Sequence, residues 1–329
     1  MLDGRHGIAA ADDGDCSAVC HGPGYTKSAG SKTGELEHTH GSVPDDRTGT
    51  LESFGIGSHG SRSDIQDAPA SRDIPNRNGL LRCAVFELIG NDQVNRQEQL
   101  LRTLESFKQY NPDKFMVVIV DDGSDEDIVL PVTEFEVVVL KTYNKTWSQG
   151  DPAFNMGIYY ALLKYPEIVI IQNIECYHVG DVLSYARRVD SKSYISFGCY
   201  SQGEGEAIGS VINGRGASFG GDSAWYNHPI HRPVGYHFCS AITAGNLRKI
   251  NGFDERFAFG AGYDDDYLLH QIKCLGLEIE ITAEPYVVHQ WHKQNKTNNA
   301  DLYEKNKTIY DELIKENNYK AEHSLSIDL

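Results

Sequence analysis

The apolar and polar positions of the chain change texture at Leu80. Beyond it, short continuous apolar runs alternate with longer stretches whose apolar residues recur every three or four positions. Residues 83–89 (CAVFELI) form one such run, interrupted by Glu87, and predict a central strand. In the following QEQLLRTLESFKQY, Leu100, Leu101, Leu104 and Phe107 fall at helical spacing, and Asn111-Pro112 ends the helix. Residues 115–120 (FMVVIV) predict a second buried strand that stops at Asp121-Asp122-Gly123-Ser124. Residues 135–140 predict a third strand. Asp151-Pro152 opens a helix that 153–163 continues, and 167–172 (EIVIIQ) predict a fourth strand. A helix over 181–188 and a short strand over 277–282 complete the pattern. Continuous apolar strands alternating with helices predict an α/β fold whose mostly parallel central sheet is flanked by helices. Ligands of such sheets bind at the carboxyl ends of the strands, so the loops that follow each strand carry the interest.

Residues 1–79 show no hydrophobic periodicity and are rich in Gly, Ser, Asp and His. Such a segment buries too little apolar area to offset its ordering entropy, which predicts a disordered tail before a domain over 80–329. Cys16, Cys20, His21, His38 and His40 lie within it, at spacings that fit no standard zinc module. Over the 329 residues the net charge is −17. That balance argues against a general nucleic-acid binder, although a bound cation can neutralise a diphosphate without a basic face. The longest apolar runs are strand-sized, so no membrane span is expected. MLDGRHGIAA lacks the apolar core of a secretory signal, and seven scattered cysteines read as reduced thiols; both point to the cytoplasm. Asn-Lys-Thr sequons begin at Asn144, Asn295 and Asn306 and are read as chance occurrences in that setting.

Four loops could carry chemistry. Asp121-Asp122-Gly123-Ser124 follows a buried strand. Taken alone it reads as a β-to-α turn, with Asp capping a helix and Gly at positive φ; its acids could also accept hydrogen bonds from a nucleobase or ribose. Asn173-Ile174-Glu175 follows the fourth strand. Two apart, Asn173 and Glu175 point the same way in extended chain, and a Glu oxygen near His178 could hold a divalent cation; a polar turn before the next helix is the equal alternative. Asp264-Asp265-Asp266 follow the glycines of 260–262. The helix dipole accounts for one acid or two in a first turn, and three make one of them a candidate general base. Last, His289 and His292, three apart after a strand, could supply a metal ligand.

Taken together, these elements resemble the GT-A glycosyltransferases, the inverting family-2 type in particular, over residues 82–292. The parts that carry the resemblance are VDDGS at 120–124, the position of a DXD motif at 173–175, Asn251-Gly252-Phe253-Asp254-Glu255, and the acidic helix start followed by a late histidine. The run NGFDERFAFGAGYDDDYLLHQI is similar to the acceptor-side region of animal galactosyltransferases and polypeptide GalNAc-transferases. Matching Gly180-Asp181-Val182-Leu183 to the family's Pro-Asp-x-Leu sets the DXD position, where this chain has Asn-x-Glu.

The resemblance implies a GT-A, nucleotide-diphospho-sugar transferase fold. It places Glu87, Asp121, Asp122 and Asn173 on the donor nucleotide, with Asp122 on the base and Asp121 supporting the turn. It makes Asp264 the base, with Asp265 the close second, and it makes Glu175 with His289 or His292 the ligands of Mn²⁺ or Mg²⁺. The implied reaction moves a sugar from a nucleoside diphosphate donor, a UDP-sugar, to a hydroxyl of a glycan, glycolipid or protein, with inversion. The tract 199–235, rich in Gly, Ser and His, is expected to form a flap over the acceptor, where Trp225, Tyr226 and Tyr236 either stack on sugars or pack in the core. Two alternatives come from other classes. One is a catalytically inactive nucleotide- or glycan-binding protein of the same fold, motivated by Asn173. The other is a nucleotidyltransferase, ranked lower because Gly90-Asn91-Asp92 replaces a basic phosphate loop.

Overall fold

The computed structural model describes residues 84–89, 93–206, 225–293, 300–316 and 318–323. All fall within one compact unit, Ser71–Leu329. The tail reading of 1–79, with its cysteines and histidines, and residues 90–92 lie outside the described residues. In chain order the strands are β1 (Ala84–Ile89), β2 (Met116–Asp122), β3 (Glu136–Lys141), β4 (Ile168–Gln172), β5 (Cys176–Val179), β6 (Ser193–Ser201), β7 (Trp225–Asn227), β8 (Cys239–Thr243) and β9 (Glu278–His289). The helices are α1 (Gln93–Ser106), α2 (Asp151–Leu163), α3 (Val182–Ala186), α4 (Ala244–Ile250), α5 (Asp264–Cys274) and α6 (Ala300–Lys315).

The strands form one sheet in the order β3-β2-β1-β4-β8-β6-β9-β5, with β7 added to β6. Here the expectation of a mostly parallel sheet is corrected: the sheet is mixed. Strands β3, β2, β1 and β4 run parallel, as do β6 and β9, whereas β4–β8, β8–β6, β6–β7 and β5–β9 are antiparallel. The apolar runs report burial on both faces, and burial on both faces does not fix strand direction once helices cover each side.

Strand β2 shows the two faces in one segment. All seven of its residues are buried. Val117 and Ile119 join a core with Leu100, Leu104 and Phe107 of the α1 region and with Val182 and Ala186 of α3. Met116, Val118 and Val120 join a second core with α2, with Leu247 and Ile250 of α4, and with Leu268 and Ile272 of α5. The two-residue period of the strand sorts them. Of the four apolar positions expected to bury along α1, Leu100, Leu104 and Phe107 do so, but Leu101 is exposed. The helix ends at Ser106 and tightens into a 3₁₀ turn, Phe107–Gln109, before Asn111 caps the next turn at Pro112. Strand β9 is far longer than the expected 277–282 and carries His289 within it. Among the described residues no helix is long and apolar enough to cross a membrane.

Candidate functional site

After β4 the chain does not stay extended. The Cys176 N–H donates to Asn173 O (3.0 Å) and the Asn173 N–H to Phe238 O (3.1 Å), closing a tight turn. The extended backbone on which a shared direction of Asn173 and Glu175 depended is therefore absent here. Strand β5 begins at once and pairs with β9 in the register Cys176↔His289. The Gln290 N–H donates to Glu175 O (3.0 Å), and Gln290 Nε2 donates to the same oxygen. This register delivers Glu175 to the end of β9. His289 Nε2 lies 2.9 Å and His292 Nε2 3.7 Å from Glu175 Oε1.

One oxygen or nitrogen from each of Glu175, His289 and His292 fits within 4.8 Å, a compact donor set for a divalent ion. His292 Nδ1 is 3.1 Å from the Lys293 carbonyl, so Nδ1 bears the hydrogen and Nε2 keeps its lone pair towards the cluster. Burial, reinforced by Arg96, pushes the His292 imidazole below its usual range against the pull of Glu175. The second oxygen of Glu175 accepts from Arg96 Nη1 at 2.7 Å. Burial alone would raise the Glu175 carboxyl; Arg96, His289 and His292 outweigh it and hold the group well below the carboxylate range.

His178 does not join this set. Its ring lies between Tyr110 Oη (2.9 Å) and Gln172 Oε1 (2.7 Å), packed against Phe107, and burial pushes it down to about 3. Two residues from Cys176 along β5, it faces the α1 side of the sheet. Asn173 Oδ1 is buried with no hydrogen-bond partner among the described residues.

The strand-end aspartates are enclosed. Asp121 Oδ1 accepts from the Ser124 N–H (2.8 Å), and Gly123 takes φ 80°. No helix follows before β3, so the turn does not cap one as expected. Asp122 is fully buried. Its carboxylate accepts from Trp147 Nε1 (3.0 Å) and Thr142 Oγ1 (3.2 Å) and is ion-paired to Lys145. Burial pushes this carboxyl upward, opposed by the charge of Lys145 and by the hydrogen bonds. Glu87 lies opposite Val120 in the β1–β2 register; its side chain lies outside the described residues.

The acids of 264–266 fill the first turn of α5. Tyr263, just before them, has φ 67°, a conformation rare for a bulky residue. Its ring packs on Tyr303 and Tyr310 of α6, with centroids at 4.9 and 5.3 Å. Asn306 of α6 is fully buried and donates to Phe257 O (3.0 Å) and Gly262 O (2.9 Å). Gln149 brackets Gly262 from the other side, bonded to both its N–H and its carbonyl. Ser148 reaches the Ala258 and Gly260 carbonyls. Residues 145–149 thus link Asp122 to the loop that carries the acids. Asn155 of α2 adds a brace: it accepts from the Phe253 N–H (2.9 Å) and donates to Phe253 O (2.8 Å).

The three acids have different partners. Asp266 Oδ1 accepts from Tyr236 Oη at 2.8 Å, and Asp265 Oδ1 sits 2.5 Å from His237 Nδ1. Asp264 is half-buried. Burial, then the neighbouring Asp265 charge, push its carboxyl up to about 6, against the lowering effect of His237. The next residue, Phe238, stacks on Tyr226 (4.7 Å) and meets His289 edge-on at 5.9 Å, while Tyr226 meets His289 at 5.0 Å. Residues 236–238 therefore touch both the acid cluster and the Glu175–His289 cluster. Of the expected flap residues, Trp225 packs in a core with Tyr200, Tyr286 and Val288. Residues 207–224 lie outside the described residues.

Sequence reasoning singles out neither Arg96, Lys145, Gln149, His237 nor Asn306 for any role. Arg96 sits in a polar stretch of an amphipathic helix, where a charged residue reads as solvated. The Asn306 sequon is the one pattern that touches that position, and it is read as a chance occurrence.

No family model and no curated protein matches the chain. The solved structures it is similar to include S. aureus TarS 1–349, at TM-score 0.48 and 13% identity, covering 71% of this chain and 66% of that one. The same TarS fragment in complex with UDP-GlcNAc gives a TM-score of 0.49 at 14% identity, covering 71% and 67%. The mannosyltransferase PcManGT from Pyrobaculum calidifontis, in complex with GDP-Man and Mn²⁺, gives 0.44 at 15%, covering 71% and 63%. The chain thus spans less than two thirds of the length of the first and last of these.

Proposed function

We propose that residues 80–329 form a GT-A-type catalytic domain that transfers a sugar from a nucleoside diphosphate donor, a UDP-sugar, to an acceptor hydroxyl with inversion. The observation that carries this reading is the convergence of Glu175, His289 and His292 on one point. The family resemblance makes Glu175 a cation ligand together with a late histidine, and both histidines face the same carboxylate oxygen.

A cation held by these three, Mn²⁺ or Mg²⁺, would supply positive charge to the departing diphosphate. Asp264 accepts the proton of the acceptor hydroxyl as its oxygen bonds to the anomeric carbon; the bond to the diphosphate breaks, and the diphosphate leaves with the electron pair. A carboxyl raised to about 6 is largely ionised at neutral pH yet basic enough to take that proton. Asp265 and Asp266 are each tied to a side chain of the 236–237 segment, which favours Asp264 as the base. Contact between Asp122 and a base would require Lys145 and Trp147 to give way.

Thermal-shift titration with UDP, GDP, CDP and dTDP, each with and without Mn²⁺, tests the reading. A melting shift for one nucleotide that depends on Mn²⁺, together with donor turnover lost in Asp264→Asn, is the expected result. Binding without turnover in the unaltered protein would instead support the inactive nucleotide-binding alternative. No shift with any nucleotide would remove the donor reading.

A further inference from the structure

Arg96 is the one cation bonded to the Glu175 carboxylate among the described residues, and it takes the oxygen that the histidines leave. Its side chain is largely buried, and Nη1–H to Glu175 Oε2 is its single hydrogen bond among the described residues. The fixed charges at the cluster therefore cancel in place: one carboxylate against one guanidinium that cannot lose its proton. A divalent ion entering on the Oε1 side displaces the His289–Glu175 hydrogen bond to reach the imidazole nitrogens, and Arg96 offsets much of the Coulomb attraction of Glu175. Two aspartates at this position would attract such an ion strongly.

The balance changes when an anion arrives with the ion. A diphosphate carries more than one negative charge and meets both the cation and the remaining donors of Arg96, whose planar fork suits phosphate oxygens. Because Arg96 already neutralises Glu175, the cation keeps its charge for the diphosphate.

We infer that Arg96 makes cation binding at this site conditional on a diphosphate, so that the two ligands bind together. The inference rests on the assignment of Glu175, His289 and His292 as the cation site. Arg96 is a positioning residue in this account, and its action is read in binding rather than in turnover.

The test is Mn²⁺ binding by titration calorimetry on the full chain, alone and with saturating UDP, GDP, CDP or dTDP. The unaltered protein should bind Mn²⁺ at least about tenfold more tightly with one of the four nucleotides than without. Arg96→Gln keeps a hydrogen bond to Glu175 and removes the charge. It should bind Mn²⁺ alone at least about tenfold more tightly than the unaltered protein, since one unit charge a few ångströms from a divalent ion is worth at least that. Arg96→Lys should behave like the unaltered protein. Circular dichroism and the metal-free melting temperature verify that each variant is folded. If Mn²⁺ binds the unaltered protein with an affinity that no nucleotide changes, the inference falls and the cation site stands; this arm needs no variant. Equal Mn²⁺ affinities in the unaltered protein and a folded Arg96→Gln have the same consequence. If neither protein binds Mn²⁺ under any of these conditions, the cation reading falls with it.

Discussion

His237 Nδ1 and Asp265 Oδ1 lie 2.5 Å apart, and the histidine ring packs edge-on against Phe154 and Phe253, with centroids at 4.9 and 4.8 Å, while those two rings stack on each other. This pair sets the charge next to Asp264. Asp265 raises the Asp264 carboxyl and His237 lowers it. Replacing His237 with Gln removes the lowering influence, so the Asp264 carboxyl should rise further. The acid limb of a donor-turnover pH profile is then expected to move to higher pH. A limb that stays in place would separate His237 from Asp264.

Asp264 also carries a stability consequence of definite sign. Its folded value, about 6, exceeds the ordinary 3.8, so the folded state holds this proton more tightly than the unfolded chain. Stability due to this group is full below about 4 and is lost as pH rises to about 6. Asp264→Asn should therefore raise the melting temperature at pH 8 relative to the unaltered protein and leave it nearly unchanged at pH 4. Melting curves at the two values decide the matter.

Glu175 has the opposite sign. Its carboxyl is depressed, so its contribution is present above the unfolded value near 4.5 and fades as pH falls. Glu175→Gln leaves Arg96 without its charge partner in a largely buried setting. Breaking such a pair costs about 3–5 kcal/mol, which urea unfolding at pH 7 would register. A loss below 1 kcal/mol would mean that water already reaches the pair.

Gly260 and Asn306 form a fourth test. A Cβ on Gly260 would come 1.9 Å from Asn306 Oδ1. Gly260→Ala is expected to destabilise by about 1–3 kcal/mol through overpacking. Asn306→Ala strips donors from the Phe257 and Gly262 carbonyls, a loss of about 1–3 kcal/mol. In the double variant the clash is gone, so the combined loss should be smaller than the sum, as a double-mutant cycle in urea would reveal. The same burial keeps the Asn306 sequon from an oligosaccharyltransferase in the folded protein.

Much of the fold was legible because periodicity reports burial, and residues 115–120 and 168–172 are buried in the structure, with only Glu167 of the expected fourth strand exposed. Strand direction was not legible, because β8 and β4 bury the same kinds of residue whether they run together or opposed. Leu101 illustrates a related limit: at helical spacing it is one step round from Leu100, outside the stripe that packs. At the candidate site, Glu175, His289 and His292 could be named from sequence, but their common target depends on the Cys176↔His289 register. Arg96 and Asn306 act across 79 and 49 positions respectively, and no local pattern encodes such a reach.

That register has a consequence for synthesis. Among the described residues β9 is the last strand of the sheet, flanked by β6 and β5, which are made long before it. Its final residue, His289, and the following His292 are the last parts of the Glu175 cluster to leave the ribosome. A nascent chain stopped before 289 contains Glu175 and Arg96 but neither imidazole. The Glu175–His289–His292 cluster is therefore complete only once β9 has emerged and the sheet receives that strand.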